Sequence, residues 1–128
     1  MLDPEHQYVI FRSDRCERIG GGSCVFISRE IHCYKIEIPN EINDDLKTCG
    51  CDILCFNVQM HCTKYRFILI YRPPSSCLKT DLSKKTQSLM RIITRLSDLQ
   101  ATTFVLGDLN FPGINWTNSI FKTNGVSR

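Results

Sequence analysis

Nowhere in this chain do apolar residues run on for the roughly 18 positions that a membrane-crossing helix requires. The opening residues, Met1-Leu2-Asp3-Pro4-Glu5-His6, lack the basic-then-apolar order of a secretory signal. These absences lead us to expect an intracellular protein, nuclear or cytoplasmic, neither secreted nor membrane-bound. A strong charge bias is missing as well: 16 Lys and Arg stand against 13 Asp and Glu, a formal +3, so net charge alone makes no case for nucleic-acid binding. No repeat, low-complexity tract or linker breaks the chain, and one domain is expected over residues 1–128. What is present, 42% hydrophobic and 23% charged residues, excludes disorder and suits an ordinary globular core.

Cysteine is not scarce. There are 8, and Cys49, Cys51, Cys55, His61 and Cys62 crowd one short stretch, which invites a disulfide or a zinc reading. The spacings are C-x-C and C-x₃-C within an expected strand, whereas a zinc pair usually presents its thiolates from a C-x₂-C turn. Reduced structural cysteines are therefore expected, with Cys55, between Leu54 and Phe56, placed in the core. A zinc module on Cys49 to Cys62 ranks last.

Hydrophobic patterning predicts strands over Tyr8 to Arg12, Ser23 to Ser28 and Cys33 to Ile38; in the last, Tyr34, Ile36 and Ile38 share one face. Pro39-Asn40 and Asn43-Asp44-Asp45 read as a connection. Asp52 to Val58 and Tyr65 to Tyr71 read as a hairpin turning around His61 to Lys64, and Pro73-Pro74 ends its second strand. From Thr80 to Leu99 the period becomes helical, through Leu82, Leu89, Ile92, Ile93, Leu96 and Leu99, with Thr80 or Asp81 available as the cap. Lys79, Lys84, Lys85, Arg91 and Arg95 then read as a solvated basic face. Thr102 to Leu106 is a further strand, leading into Gly107-Asp108. The order indicates a mixed α and β domain of stacked layers.

Two strand exits carry candidate chemistry. If extended geometry continues through Leu109, Asp108 and Asn110 point to one side, a carboxylate that accepts a proton from water beside an amide that donates to a phosphate oxygen. The plainer reading is that Asp108 caps the following turn. Gly107 leaves room for another backbone. In the preceding strand Phe67, Leu69 and Tyr71 share a face, so Tyr71 ends a buried row with its hydroxyl at the rim, and Arg72, on the opposite face, is expected at the surface.

The succession Phe11-Arg12-x-Asp14-Arg15, Gly20-Gly21-Gly22, Tyr71-Arg72-Pro73-Pro74, Gly107-Asp108-Leu109-Asn110-Phe111-Pro112 and Ile114-Asn115-Trp116 resembles the endonuclease/exonuclease/phosphatase superfamily. It is most similar to the DNase-like endonuclease domain of LINE-type non-LTR retrotransposons, where a reverse transcriptase accompanies the nuclease. The resemblance spans about residues 8–116. It implies a four-layered α/β sandwich, two packed and mainly antiparallel sheets flanked by helices, here truncated at both ends. It also implies a metal-dependent phosphodiester hydrolase acting on DNA, with Mg2+ as cofactor. By the same resemblance Asp108 orients or deprotonates the attacking water, Asn110 binds the substrate phosphate, and Tyr71 supports the transition state. The glycine triplet and the Arg12 to Arg15 segment match as structural or near-site elements; His32 and His61 match no catalytic histidine.

The chain departs from the family at both ends. The family's early asparagine and metal-binding glutamate have no counterpart, Ser127-Arg128 does not begin a Ser-Asp-His motif, and Gly113 stands where retrotransposon members often carry an acid. The metal ligands are thus unknown. An endonuclease domain of retrotransposon origin, inactive by itself, is the expectation; a catalytically dead DNA-binding or protein-interaction remnant is the alternative. A phosphoinositide phosphatase is a further possibility within the superfamily, disfavoured by the YRPP and FPxINW stretches.

Overall fold

The computed structural model describes residues 5–14, 22–74 and 79–111. In chain order these form strands β1 (Tyr8–Ser13), β2 (Ser23–Ser28) and β3 (His32–Lys35), a 3-10 turn (Asn40–Ile42), helix α1 (Asn43–Cys49), strands β4 (Asp52–Met60) and β5 (Thr63–Tyr71), helix α2 (Lys79–Leu96) and strand β6 (Thr102–Asp108). A two-stranded sheet pairs β1 with β2; a four-stranded sheet runs β3-β4-β5-β6. All pairings are antiparallel except β5 with β6, which α2 connects in parallel. A parallel neighbour needs such a crossover, and the helical period after Pro73-Pro74 supplies it.

At β4 the large sheet is buried on both faces, which explains why that strand reads Ile-Leu-Cys-Phe-Asn-Val without strict alternation. One face holds Ile53, Cys55, Ile68 and Ile70 against Leu89, Ile92 and Leu96 of α2 and Ile42 and Cys49 around α1. Ile68 and Ile70 are completely buried, and each such side chain stabilises the fold by about 1.5–3 kcal/mol. The other face holds Leu54, Phe56, Val58, Phe67 and Leu69 against Phe11, Val25 and Ile27 of the small sheet. Cys55 is buried as expected. The described residues therefore stack as helices, large sheet, small sheet. No helix among them is long and apolar enough to cross a membrane.

Several expectations change. Asn43-Asp44-Asp45 is not a loop but the first turn of α1, where Asp44 and Asp45 complement the helix dipole, while Gly50 closes the helix at φ 65° with its N–H on the Leu46 carbonyl. Arg91 of α2 then reaches Asp45 at 2.6 Å and joins the two helices. With Arg95 4.0 Å from Glu41, the basic face of α2 is partly neutralised by its own neighbours. α2 begins at Lys79, so Thr80 and Asp81 lie inside its first turn rather than ahead of it. It ends at Leu96 rather than Leu99: Arg66 Nη1 takes the Leu96 carbonyl at 2.8 Å, and Asp98 Oδ1 accepts the Gln100 amide at 2.9 Å, forming a turn. Strand β3 likewise stops at Lys35, although Ile36 and Ile38 still pack on the helix-side core.

A polar network fixes the end of α2 to the sheet. Asn57, 1% exposed, donates to the Tyr34 hydroxyl at 3.0 Å and accepts from Arg66 Nε at 2.9 Å. Arg66 Nη2 lies 3.5 Å from Asp98, which pairs with Lys64 at 2.8 Å. Buried groups so placed need every partner, because each one left unpaired costs about 1–3 kcal/mol.

Candidate functional site

Strands β5 and β6 end together. In their parallel register Phe67 faces Phe104, Leu69 faces Leu106 and Tyr71 faces Asp108. The rings of Phe56, Phe67 and Phe104 stack in a row, with centroids 5.3 and 5.2 Å apart, so this row lies on the side that carries the small sheet. Alternation along each strand carries Tyr71 and Asp108 to the same side. Tyr71 is half-buried and Asp108 exposed, the rim position expected for both.

Gly107 makes this register possible. Its φ is 135°, and a Cβ built there would lie 1.8 Å from the Ile70 carbonyl oxygen. Only glycine lets β6 approach β5 so closely. The expected close approach at Gly107 is thus met by a backbone of this same sheet.

Asn110 reaches the site by another route than extended continuation. β6 stops at Asp108, and Asn110 takes φ 45°, a left-handed conformation that asparagine tolerates. Its side-chain amide donates to the Arg72 carbonyl at 2.6 Å, and its backbone N–H donates to Asp108 Oδ1 at 3.2 Å. The turn-capping role of Asp108 is therefore present, and part of the Asn110 amide is used in holding the loop to the end of β5. The same strand end is tied again by the Arg72 N–H on the Asp108 carbonyl at 2.8 Å.

Arg72 is not a surface charge. It is 5% exposed, with Nη2 donating to Thr86 Oγ1 of α2 at 3.3 Å and its guanidinium carbon 4.2 Å from the centre of the Phe111 ring. Its Nη1 has no hydrogen-bond partner among the described residues. The ring face compensates part of that desolvation through a cation–π contact. Arg72 thus acts as the post to which β6, Asn110, Phe111 and α2 are all attached.

One residue of the row escaped sequence reasoning. Asp52 opens β4 and is the register partner of Tyr71, so Asp52, Tyr71 and Asp108 lie side by side across three strand ends. The available signal was alternation: Asp52 precedes Leu54 and Phe56 by even steps. Two strand spacings separate the carboxylates, on the order of 10 Å between backbones, with the tyrosine between them. Among the described residues no three His, Cys, Asp or Glu side chains are grouped to hold a metal ion.

Other sequence candidates fall elsewhere. Arg12 pairs with Asp14 at 3.0 Å on the outer side of the small sheet, beside Ile10 and Phe26 at a shallow cavity of about 280 Å³, whereas Tyr71 faces the inner side. Arg15, Gly20 and Gly21 and the Ile114-Asn115-Trp116 segment lie outside the described residues. The cysteine-rich stretch is spread along β4: Cys49 ends α1, Cys51 precedes the strand, Cys55 is in the core, and His61 and Cys62 form the turn at the far end. Nine residues of strand span on the order of 30 Å, so these side chains do not meet. Cys49 and Cys51 do meet, the Cys51 N–H donating to Cys49 Sγ at 3.4 Å and the Cys51 thiol to the Cys49 carbonyl at 3.6 Å. Hydrogen bonding from Cys51 lowers the Cys49 thiol to about 7, and the Cys51 thiol is pushed upward by the same interaction.

Compared with protein-family models, with curated proteins and with solved structures, the chain matches none.

Proposed function

We propose that the joint end of β5 and β6 is a phosphodiester site of the endonuclease/exonuclease/phosphatase kind, belonging to a DNA endonuclease domain of non-LTR retrotransposon origin. The observation that supports it most is the register of Tyr71 on Asp108, with Asn110 secured beside them through Arg72. Residues far apart in the sequence, singled out by one resemblance, share one rim of one sheet. In this reading Asp108 accepts a proton from water, the Tyr71 hydroxyl donates to a phosphate oxygen, and the amide hydrogen of Asn110 not given to Arg72 does the same. The small sheet exposes Tyr8, Ile10 and Phe26 on its outer side, where the fourth layer of the proposed sandwich would lie.

Mg2+ is the cofactor that the family would bring, and the described residues do not fit it. Asp52 and Asp108 flank Tyr71 without a third ligand, so no step is assigned through a metal. The three residues position water and phosphate but leave the phosphate charge unneutralised. Each missing acid or base group typically lowers such a rate by about 10²–10⁴-fold. The expected behaviour is therefore duplex DNA binding that weakens with salt, and no useful cleavage. Purified protein is tested on supercoiled plasmid with magnesium, beside Asp108→Ala, and in a salt series of duplex binding. Cleavage abolished by Asp108→Ala would establish an active nuclease and overturn the inactivity; loss of both binding and cleavage would overturn the phosphodiester site.

A further inference from the structure

Cys49 and Cys51 take no part in the site described above, and the turn between them brings their thiols together. Cys49 is the last residue of α1 and Cys51 precedes β4, with Gly50 between them at φ 65° and ψ 18°, in the left-handed region. A residue of helical φ and ψ, of either hand, sets the Cα atoms of its two neighbours about 5.4 Å apart. That lies within the span of about 4.4–6.8 Å that a disulfide requires. A Cβ at Gly50 would meet nothing within 4 Å, so glycine serves the conformation of the turn rather than its space.

The side chains converge as the backbone does. The Cys51 N–H donates to Cys49 Sγ at 3.4 Å, the Cys51 thiol reaches the Cys49 carbonyl at 3.6 Å, and the two thiols hydrogen-bond each other. The Cys49 thiol lies at about 7, first because of the hydrogen bond from Cys51, with burial and Asp45 opposing. The Cys51 thiol is pushed upward by the same bond, then by burial and by the charge on Cys49; Arg72 opposes the rise and Asp52 adds to it. One thiolate therefore faces one thiol. Burial pushes the Cys33 and Cys55 thiols up instead, and a thiol kept protonated is a poor nucleophile.

We propose that Cys49 and Cys51 form a dithiol oxidised by hydrogen peroxide, a modification site in which Cys49 is the attacking sulfur and Cys51 the resolving one. The Cys49 thiolate attacks one oxygen of the peroxide; the O–O bond breaks, the sulfur becomes a sulfenic acid, and the released hydroxide takes a proton from solvent to become water. Cys51 then attacks Cys49 Sγ, the S–O bond breaks, and the leaving hydroxyl takes the Cys51 proton as a second water, which leaves a disulfide between the two residues. Two electrons pass from the thiol pair to the peroxide. Cys49 is 4% exposed, so the oxidant is a molecule near the size of water rather than a bulky disulfide. Oxidation strands no backbone group at Leu46, because the carbonyl that accepts the Cys49 thiol at 3.4 Å also accepts the Gly50 N–H at 3.2 Å. A loop this short removes little freedom from the unfolded chain, so the bond is a redox mark rather than a staple.

The test is peptide mapping of the full chain after brief exposure to a few equivalents of hydrogen peroxide or of oxidised glutathione, with the remaining thiols blocked at mildly acid pH. Residues 48–64 form one tryptic peptide carrying Cys49, Cys51, Cys55 and Cys62, in which fragmentation locates the loss of two hydrogens. Peroxide is expected to link Cys49 to Cys51 about fivefold or more faster than it modifies Cys55. At pH 7 a thiol at about 7 is half ionised, against about 1% for one at the ordinary 9.0, and its lower nucleophilicity takes back part of that gain. Cys51→Ser should stop at the Cys49 sulfenic acid, trapped by dimedone, and Cys49→Ser should yield neither product. A pair still reduced when Cys55 is modified, or a link from Cys49 or Cys51 to another cysteine, would overturn the inference, as would linking by oxidised glutathione without linking by peroxide. The decisive reading is taken on the unsubstituted chain, so a variant that fails to fold leaves the outcome decided.

Discussion

Asn110 donates its side-chain amide to the carbonyl of Arg72 at 2.6 Å, a bond across 38 residues that fastens the loop after β6 to the end of β5. Without it, the acid at the end of one strand and the phenol at the end of its neighbour would share a register but no fixed loop beside them.

Replacing Asn110 separates that bond from the backbone conformation. Asn110→Ala loses the bond and places a Cβ residue at φ 45°, so urea unfolding should show about 1–2 kcal/mol of lost stability. Asn110→Gly loses only the bond and should cost less than Asn110→Ala. Equal losses would mean that the left-handed conformation carries no strain.

At Gly107 the obstacle is steric. A Cβ 1.8 Å from the Ile70 carbonyl cannot be accommodated unless β6 moves, and Gly107→Ala should cost about 3 kcal/mol or more. The Arg72 amide, which donates to the Asp108 carbonyl, should also exchange with deuterium faster. An unchanged exchange rate at Arg72 would contradict the close approach of the two strands.

The Asn57 and Arg66 pair should behave as a unit. Arg66→Met leaves the buried Asn57 Oδ1 and the Leu96 carbonyl without their donor, an expected loss of about 2–4 kcal/mol. Adding Asn57→Leu should cost much less in that background than alone. Additive losses in the double-mutant cycle would show that the network is not coupled.

Acid should weaken the same corner. Asp98 is held below its ordinary value of 3.8, first by the hydrogen bond from Lys64 and then by the Gln100 amide. A carboxyl depressed on folding contributes fully above its unfolded value and loses that contribution as pH falls through the lower folded value. Chemical denaturation across this acidic range should therefore show a shallower decline for Asp98→Asn than for the unsubstituted chain. Parallel curves would remove Asp98 from the acid response.

Cys49 should ionise near neutrality. Its thiol lies at about 7 because Cys51 donates to it, so Cys51→Ala should return it towards the ordinary 9.0. Titration of the Cys49 Cβ chemical shift reads this directly. A midpoint unchanged by the substitution would assign the shift to another cause.

Much of this architecture was legible because its signals are local. The alternation in Phe67, Leu69 and Tyr71, the helical period through Leu89, Ile92 and Leu96, and the proline pair after β5 depend on neighbouring residues and the backbone geometry they favour. The α1 helix was missed because Asn43-Asp44-Asp45 reads equally as a turn and as an acidic first turn of a helix. Only the covering of its apolar side by α2 separates the two. The end of α2 was misplaced for a similar reason: Leu99 continues the period, but the Leu96 carbonyl is taken by Arg66 from another strand.

By itself the sequence determined which segments extend, which coil, and that Asp108, Asn110 and Tyr71 stand at strand exits. Only the tertiary structure decided that Tyr71 faces Asp108, that Asp52 completes their row, and that Arg72 is buried beneath the site. The physical reason is register. Periodicity assigns a side chain to a face, but which residue stands beside it depends on how strands distant in sequence slide against one another, and here the close approach at one glycine fits a single alignment while one asparagine bond holds the loop beside it.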